Sequence, residues 1–172
     1  MRKLSILFIM LTVIFTSCNT ESVDVLINSE DIVGIWKGIT LDYNGKTVTN
    51  AQGQIINADF IGEAYDMNYT LTFNESPNII VSEGSYSIKL TTTVLGQTST
   101  QDLENIEFLE AETWIKNNNT LTVSGGGKSY DYKIIELTEN ELKLSVSTEE
   151  DLSQQGVSIL TTVNAIMSFN KQ

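Results

Sequence analysis

Apolar and polar residues alternate with a period of two through most of this chain, the pattern of strands with one dry and one wet face. It is clean in Tyr69, Leu71, Phe73; in Tyr86, Ile88, Leu90 and Val94; in Leu142, Leu144, Val146; and in Ile159, Val163, Ala165, Met167 and Phe169. Turn-forming residues divide the runs. Asn44-Gly45, between Leu41-Asp42-Tyr43 and Lys46-Thr47-Val48, reads as a two-residue hairpin turn of the kind that strand twist favours. Glu75-Ser76-Pro77-Asn78, Leu95-Gly96, Asn117-Asn118-Asn119, Gly125-Gly126-Gly127 and Glu139-Asn140 supply further turns. Short connections between neighbouring runs favour an antiparallel meander. The expected fold class is all-β, an antiparallel up-and-down barrel of about eight to ten strands, with a sandwich as the second architecture.

Two segments depart from the alternation. Ser29 is placed to cap a short helical turn through Glu30-Asp31-Ile32-Val33, which Gly34 ends. Between Asp102 and Glu112, Leu103, Ile106 and Leu109 recur three apart. A short helix there competes with a polar edge strand, and the expectation is a loop with a helical turn. Its carboxylates read as a solvated face, because side chains on one helical face cannot wrap the six or more oxygens that calcium takes.

The amino-terminal segment has a different logic. Arg2 and Lys3 precede an uncharged, mainly apolar run from Leu4 to Phe15, which ends in Thr16-Ser17-Cys18. This is the form of a bacterial secretion signal closing in a lipobox. The run is well short of the roughly 20 residues that cross a bilayer as a helix, so cleavage is expected. Residues 1–17 are then the signal peptide, Cys18 carries the lipid, 18–29 form a polar tether, and 30–172 form the domain. Asn19 in place of Asp removes the usual inner-membrane retention cue and implies an outer-membrane address in the cell envelope, with the periplasmic or surface side left open.

Removing Arg2 and Lys3 from the 10 basic residues leaves 8 against 22 acidic ones, so the net charge moves from −12 to −14. Such a chain repels nucleic acid and anionic lipid, and neutral or cationic partners suit it better. The chain has no histidine, and Cys18 is its one cysteine. Ser-His-Asp and Cys-His catalysis, disulfides and the usual zinc or copper sites are thereby excluded. No calcium-loop, dinucleotide or P-loop spacing occurs. Carboxylate chemistry survives as the remaining enzymatic reading, with pairs such as Glu104 and Glu107, but no spacing supports it; no catalytic residue, metal ligand or cofactor is expected, and the chain reads as a non-enzyme.

Ile32-Val33-Gly34-Ile35-Trp36-Lys37 resembles the G-x-W opening of lipocalin-type barrels. Thr70-Leu71-Thr72-Phe73-Asn74, then Thr113-Trp114 followed by Asn119-Thr120-Leu121-Thr122-Val123, then Tyr132 to Leu144, are similar in order and spacing to the lipocalin-like domain of bacterial lipoproteins. The likeness runs from Ile32 to about Val146, with an insertion-like stretch from Gly84 to Glu110. It implies that Trp36 and Trp114 close the barrel floor, burying roughly 200 Å² each. It carries over no ligand residues.

An eight-stranded barrel is just wide enough to be filled by side chains or to hold one small ligand. Tyr69, Phe73, Tyr86 and Tyr132 form the candidate ligand wall, since several buried phenols facing one space ask for water or a polar-headed ligand. The first reading is a binding module for a small apolar or amphipathic molecule. The alternative is an interaction, inhibitor or accessory lipoprotein with a filled barrel and a protein partner. An open apolar cavity favours the first, a plugged lumen with a flat apolar patch the second.

Overall fold

The computed structural model describes residues 32–108 and 112–172. The signal segment, Cys18, the tether, Ser29–Asp31 of the expected helical turn, and Leu109 lie outside the described residues. Nine strands follow: β1 (Gly34–Ala51), β2 (Gln54–Asn74), β3 (Ile79–Val94), β4 (Gln97–Ile106), β5 (Glu112–Asn117), β6 (Thr120–Gly125), β7 (Lys128–Leu137), β8 (Glu141–Asp151) and β9 (Val157–Lys171).

All pairings are antiparallel, in the order β2-β1-β9-β8-β7-β6-β5-β3, and a β2–β3 pairing closes the ring. This is the expected barrel rather than a sandwich. Strand β3 is shared lengthwise: Ile79 and Ile80 at its lower end pair with β5, while Tyr86–Val94 pair with β4. Strands β5 and β6 span 6 residues each, whereas β1 and β2 run for 18 and 21. The lower half is therefore a closed barrel, and the upper half is a curved sheet that continues past it.

Register shifts fall in one belt around this junction: Gly38/Thr40 in β1, Tyr65/Asn68 in β2, Tyr86/Ile88 facing β4, and Ile134/Glu136 in β7. Asp66 and Asn105, at two of these shifts, adopt φ of 50° and 56°, the left-handed conformation that Asp and Asn tolerate best among residues with side chains. Bulges at one level bend these strands together, which helps a sheet coil tightly enough to close.

Two local expectations are corrected. Asn44 and Gly45 lie inside β1, paired with Ile61 and Phe60, and the hairpin turns at Gln52-Gly53 instead. Gly45 serves close approach: a Cβ there would stand 2.2 Å from both the Phe60 ring and the Thr162 carbonyl oxygen. The second correction concerns residues 102–106. They form the end of edge strand β4, with Leu103 opposite Ile88 and Asp102 opposite Lys89. Pairing with β3 satisfies a row of backbone groups, which a single helical turn could not do.

Candidate functional site

At the belt the inward face becomes aromatic. Tyr69 lies flat over Gly38, where a Cβ would sit 2.5 Å from the ring, so glycine on β1 makes room for tyrosine on β2. The Tyr69 ring meets Tyr86 at 5.5 Å between centroids and the edge of Phe169 at 6.1 Å. Phe108, just beyond β4, turns back over this group. It stacks on Tyr69 at 4.9 Å and 12°, and meets Tyr86 and Phe169 edge-on at 6.0 Å and 6.4 Å. Offset stacks and edge contacts of this kind are each worth about 0.5–1.5 kcal/mol beyond area burial.

The polar side of this site is unfinished. Among the described residues, the buried Tyr69 hydroxyl has no hydrogen-bond partner, and neither has the buried Ser82 Oγ. Both residues face inward in neighbouring rows, Tyr69 opposite Gly84 and Ser82 opposite Leu71. Burial, and then the nearby Tyr86, push the Tyr69 phenol well above its ordinary value. Burial, followed by Glu112, Tyr130 and Tyr86, pushes Tyr132 up to about 12.

Beneath Phe108 the lumen is nearly full. The void among Leu71, Phe73, Ile80, Phe108, Tyr132 and Met167 amounts to about 10 Å³, at the lower limit for one water. Ligand pockets are usually 300–1,000 Å³, so nothing drug-sized fits this void without a side chain moving.

On the upper rim the β7–β8 ladder ends at Lys133↔Ser145. Above it Lys128 Nζ contacts Glu150 Oε1 at 2.8 Å, and the Tyr130 hydroxyl donates to the same oxygen at 3.2 Å. Those bonds hold the Glu150 carboxyl below its usual range and raise Lys128. Both groups face solvent, and an exposed pair of this type contributes little to stability. No group of three or more His, Cys, Asp or Glu among the described residues is placed to hold a metal ion.

The structure brings three of the four candidate wall residues, Tyr69, Phe73 and Tyr86, into the buried core, with Tyr132 partly buried against it. Tyr69 and Tyr86 touch each other, whereas Phe73 lies deeper and meets Trp114 edge-on at 5.9 Å. Trp36 and Trp114 are buried at the closed end, and each indole Nε1 donates to a backbone carbonyl, of Ile32 at 2.8 Å and of Asn74 at 2.9 Å. Sequence reasoning missed Phe108. Its one signal is that it is the lone aromatic residue in the acidic stretch from Asp102 to Glu112.

The model of the lipocalin-like domain family matches residues 32–144. The chain belongs to the lipocalin-like domain family. No curated protein matches it. Among solved structures, this lipocalin-like chain is similar to the S-type phycobiliprotein lyase CPES from Guillardia theta. The identity is 9%, the match covers 83% of this chain and 90% of that one, and the TM-score is 0.25, too low to carry an argument. The family match, with the ring closed by β2 and β3, accounts for the lipocalin-like barrel and its G-x-W opening at Gly34 to Trp36.

Proposed function

We propose that this chain is a lipocalin-like lipoprotein of the bacterial envelope, anchored by a lipid on Cys18, and that it binds a small apolar or amphipathic molecule without catalysing a reaction. The observation that carries the binding reading is the Tyr69 hydroxyl, buried at the aromatic belt with no partner among the described residues. A buried polar atom left unpaired costs about 1–3 kcal/mol. A ligand with a hydrogen-bond acceptor would repay that cost, and the surrounding rings would enclose its apolar part.

The alternative, a protein-interaction or inhibitor role, draws support from the nearly filled lumen. Against it, the large apolar residues on the outer face are interleaved with polar ones: Ile61 pairs with Asn44, and Ile166 pairs with Asp42. A flat apolar patch of the kind that marks an interface needs contiguity.

The test is a screen of the purified protein against lipids, quinones, haems and sterols by tryptophan quenching, repeated with Tyr69→Phe and Tyr132→Ala. Micromolar binding, about −8 kcal/mol, that weakens in these variants at unchanged fold is expected. Failure with every class would promote the protein-interaction role. For the anchor, Cys18→Ser should release the protein from the membrane fraction and remove the lipid mass; unchanged retention and mass would contradict it.

A further inference from the structure

Phe108 stands where the ligand should be. Its ring is stacked on Tyr69, whose buried hydroxyl has no partner among the described residues, and it walls the residual void of about 10 Å³. It remains partly exposed, unlike the fully buried Phe73 and Phe169 against which the same core packs. It also comes from the chain beyond β4 rather than from a barrel strand, so its withdrawal breaks no pairing of the closed ring.

We propose that the Phe108 side chain is an internal stand-in for the ligand, and that the site it occupies, between Tyr69, Tyr86 and Phe169, takes a flat ring bearing a hydrogen-bond acceptor. The stacking geometry sets the flat ring, since a neighbour held at 12° to Tyr69 must itself be planar. The unpaired phenol sets the acceptor, which has to project past the ring toward the Tyr69 hydroxyl over Gly38. Apparent affinity is then the intrinsic affinity reduced by the fraction of molecules in which Phe108 has left.

This inference rests on the binding reading, and the experiment separates the two. Acetophenone, a ring with an acceptor, and ethylbenzene, a ring of similar size without one, are titrated calorimetrically into the protein and its Phe108→Ala, Phe108→Leu and Tyr69→Phe variants. In parallel, 4-fluorophenylalanine is placed at position 108 and followed by fluorine NMR. The expected result is weak acetophenone binding to the unaltered protein, at least tenfold tighter binding to Phe108→Ala, and a fluorine signal that moves toward the solvent value on saturation. The preference for acetophenone over ethylbenzene should vanish in Tyr69→Phe. Equal affinity in all Phe108 forms with a stationary fluorine signal overturns the stand-in role and leaves the binding reading intact. Binding only to Phe108→Ala or Phe108→Leu makes Phe108 a permanent core residue and also overturns it. No binding to any form overturns the flat-ring site, and the binding reading is then decided by the screen of lipids, quinones, haems and sterols.

Discussion

Trp36 donates its indole Nε1–H to the carbonyl oxygen of Ile32 at 2.8 Å, and both residues are 0% exposed. One side chain thereby ties the chain ahead of β1 to the floor of the barrel, and Lys171 at the end of β9 lies over the same ring at 5.1 Å. Trp36→Ala should destabilise the protein by about 3–5 kcal/mol, through lost burial plus the cavity left behind. Trp36→Phe, which keeps most of the ring but leaves the carbonyl unpaired, should cost about 1–3 kcal/mol. Denaturant midpoints measure both, and a midpoint unmoved by the alanine would remove Trp36 from the floor.

Gly62 and Tyr43 are cross-strand partners, and a Cβ on Gly62 would stand 2.2 Å from the Tyr43 ring. Gly62→Ala should therefore cost about 1–3 kcal/mol by overpacking. In a Tyr43→Ala background the same change should cost far less, giving a coupling energy that a double-mutant cycle reads directly. Additive effects would mean that the ring and the glycine do not compete for space.

These pairs show where the sequence was legible. Period-two alternation in β2, β3, β8 and β9 reports the dry face of each strand, because that face stays dry along the strand whatever its partner. The family motifs report the closed end. Asn44-Gly45 misled because the local sequence of a hairpin turn and that of a glycine beneath a cross-strand ring are the same, and only the partner strand separates them. Leu103 and Ile106 misled for a related reason: the bulge at Asn105 shifts the apolar spacing from two to three inside a strand. Phe108 was illegible because its role depends on Tyr69, 39 positions away in sequence, and on no local pattern.

Tyr132 gives the protein an alkaline limit. Its native pKa, pushed up to about 12, exceeds the ordinary value of 10.0, so between those values the unfolded chain releases the proton first. Stability is fully present below pH 10 and falls as pH rises toward 12, with Tyr132 accounting for about 3 kcal/mol at most. Tyr69 acts in the same direction. Tyr132→Phe should flatten the loss without abolishing it, as chemical unfolding at pH 9, 10.5 and 12 would reveal. An unchanged pH profile would place Tyr132 in water.

Tyr69→Phe should stabilise the ligand-free protein by about 1 kcal/mol, since it deletes a buried hydroxyl that none of the described residues satisfies. The usual result of trimming a buried tyrosine is the reverse. A loss of stability, seen as a lower thermal midpoint, would mean that the hydroxyl has a partner and that no ligand is needed to supply one.

Native mass spectrometry of the protein purified from its own cells tests the binding claim most directly. A non-covalent small-molecule adduct is expected, shed on gentle activation and reduced in Tyr69→Phe. The polypeptide mass alone, from every preparation and with no adduct at the lowest activation, would contradict it.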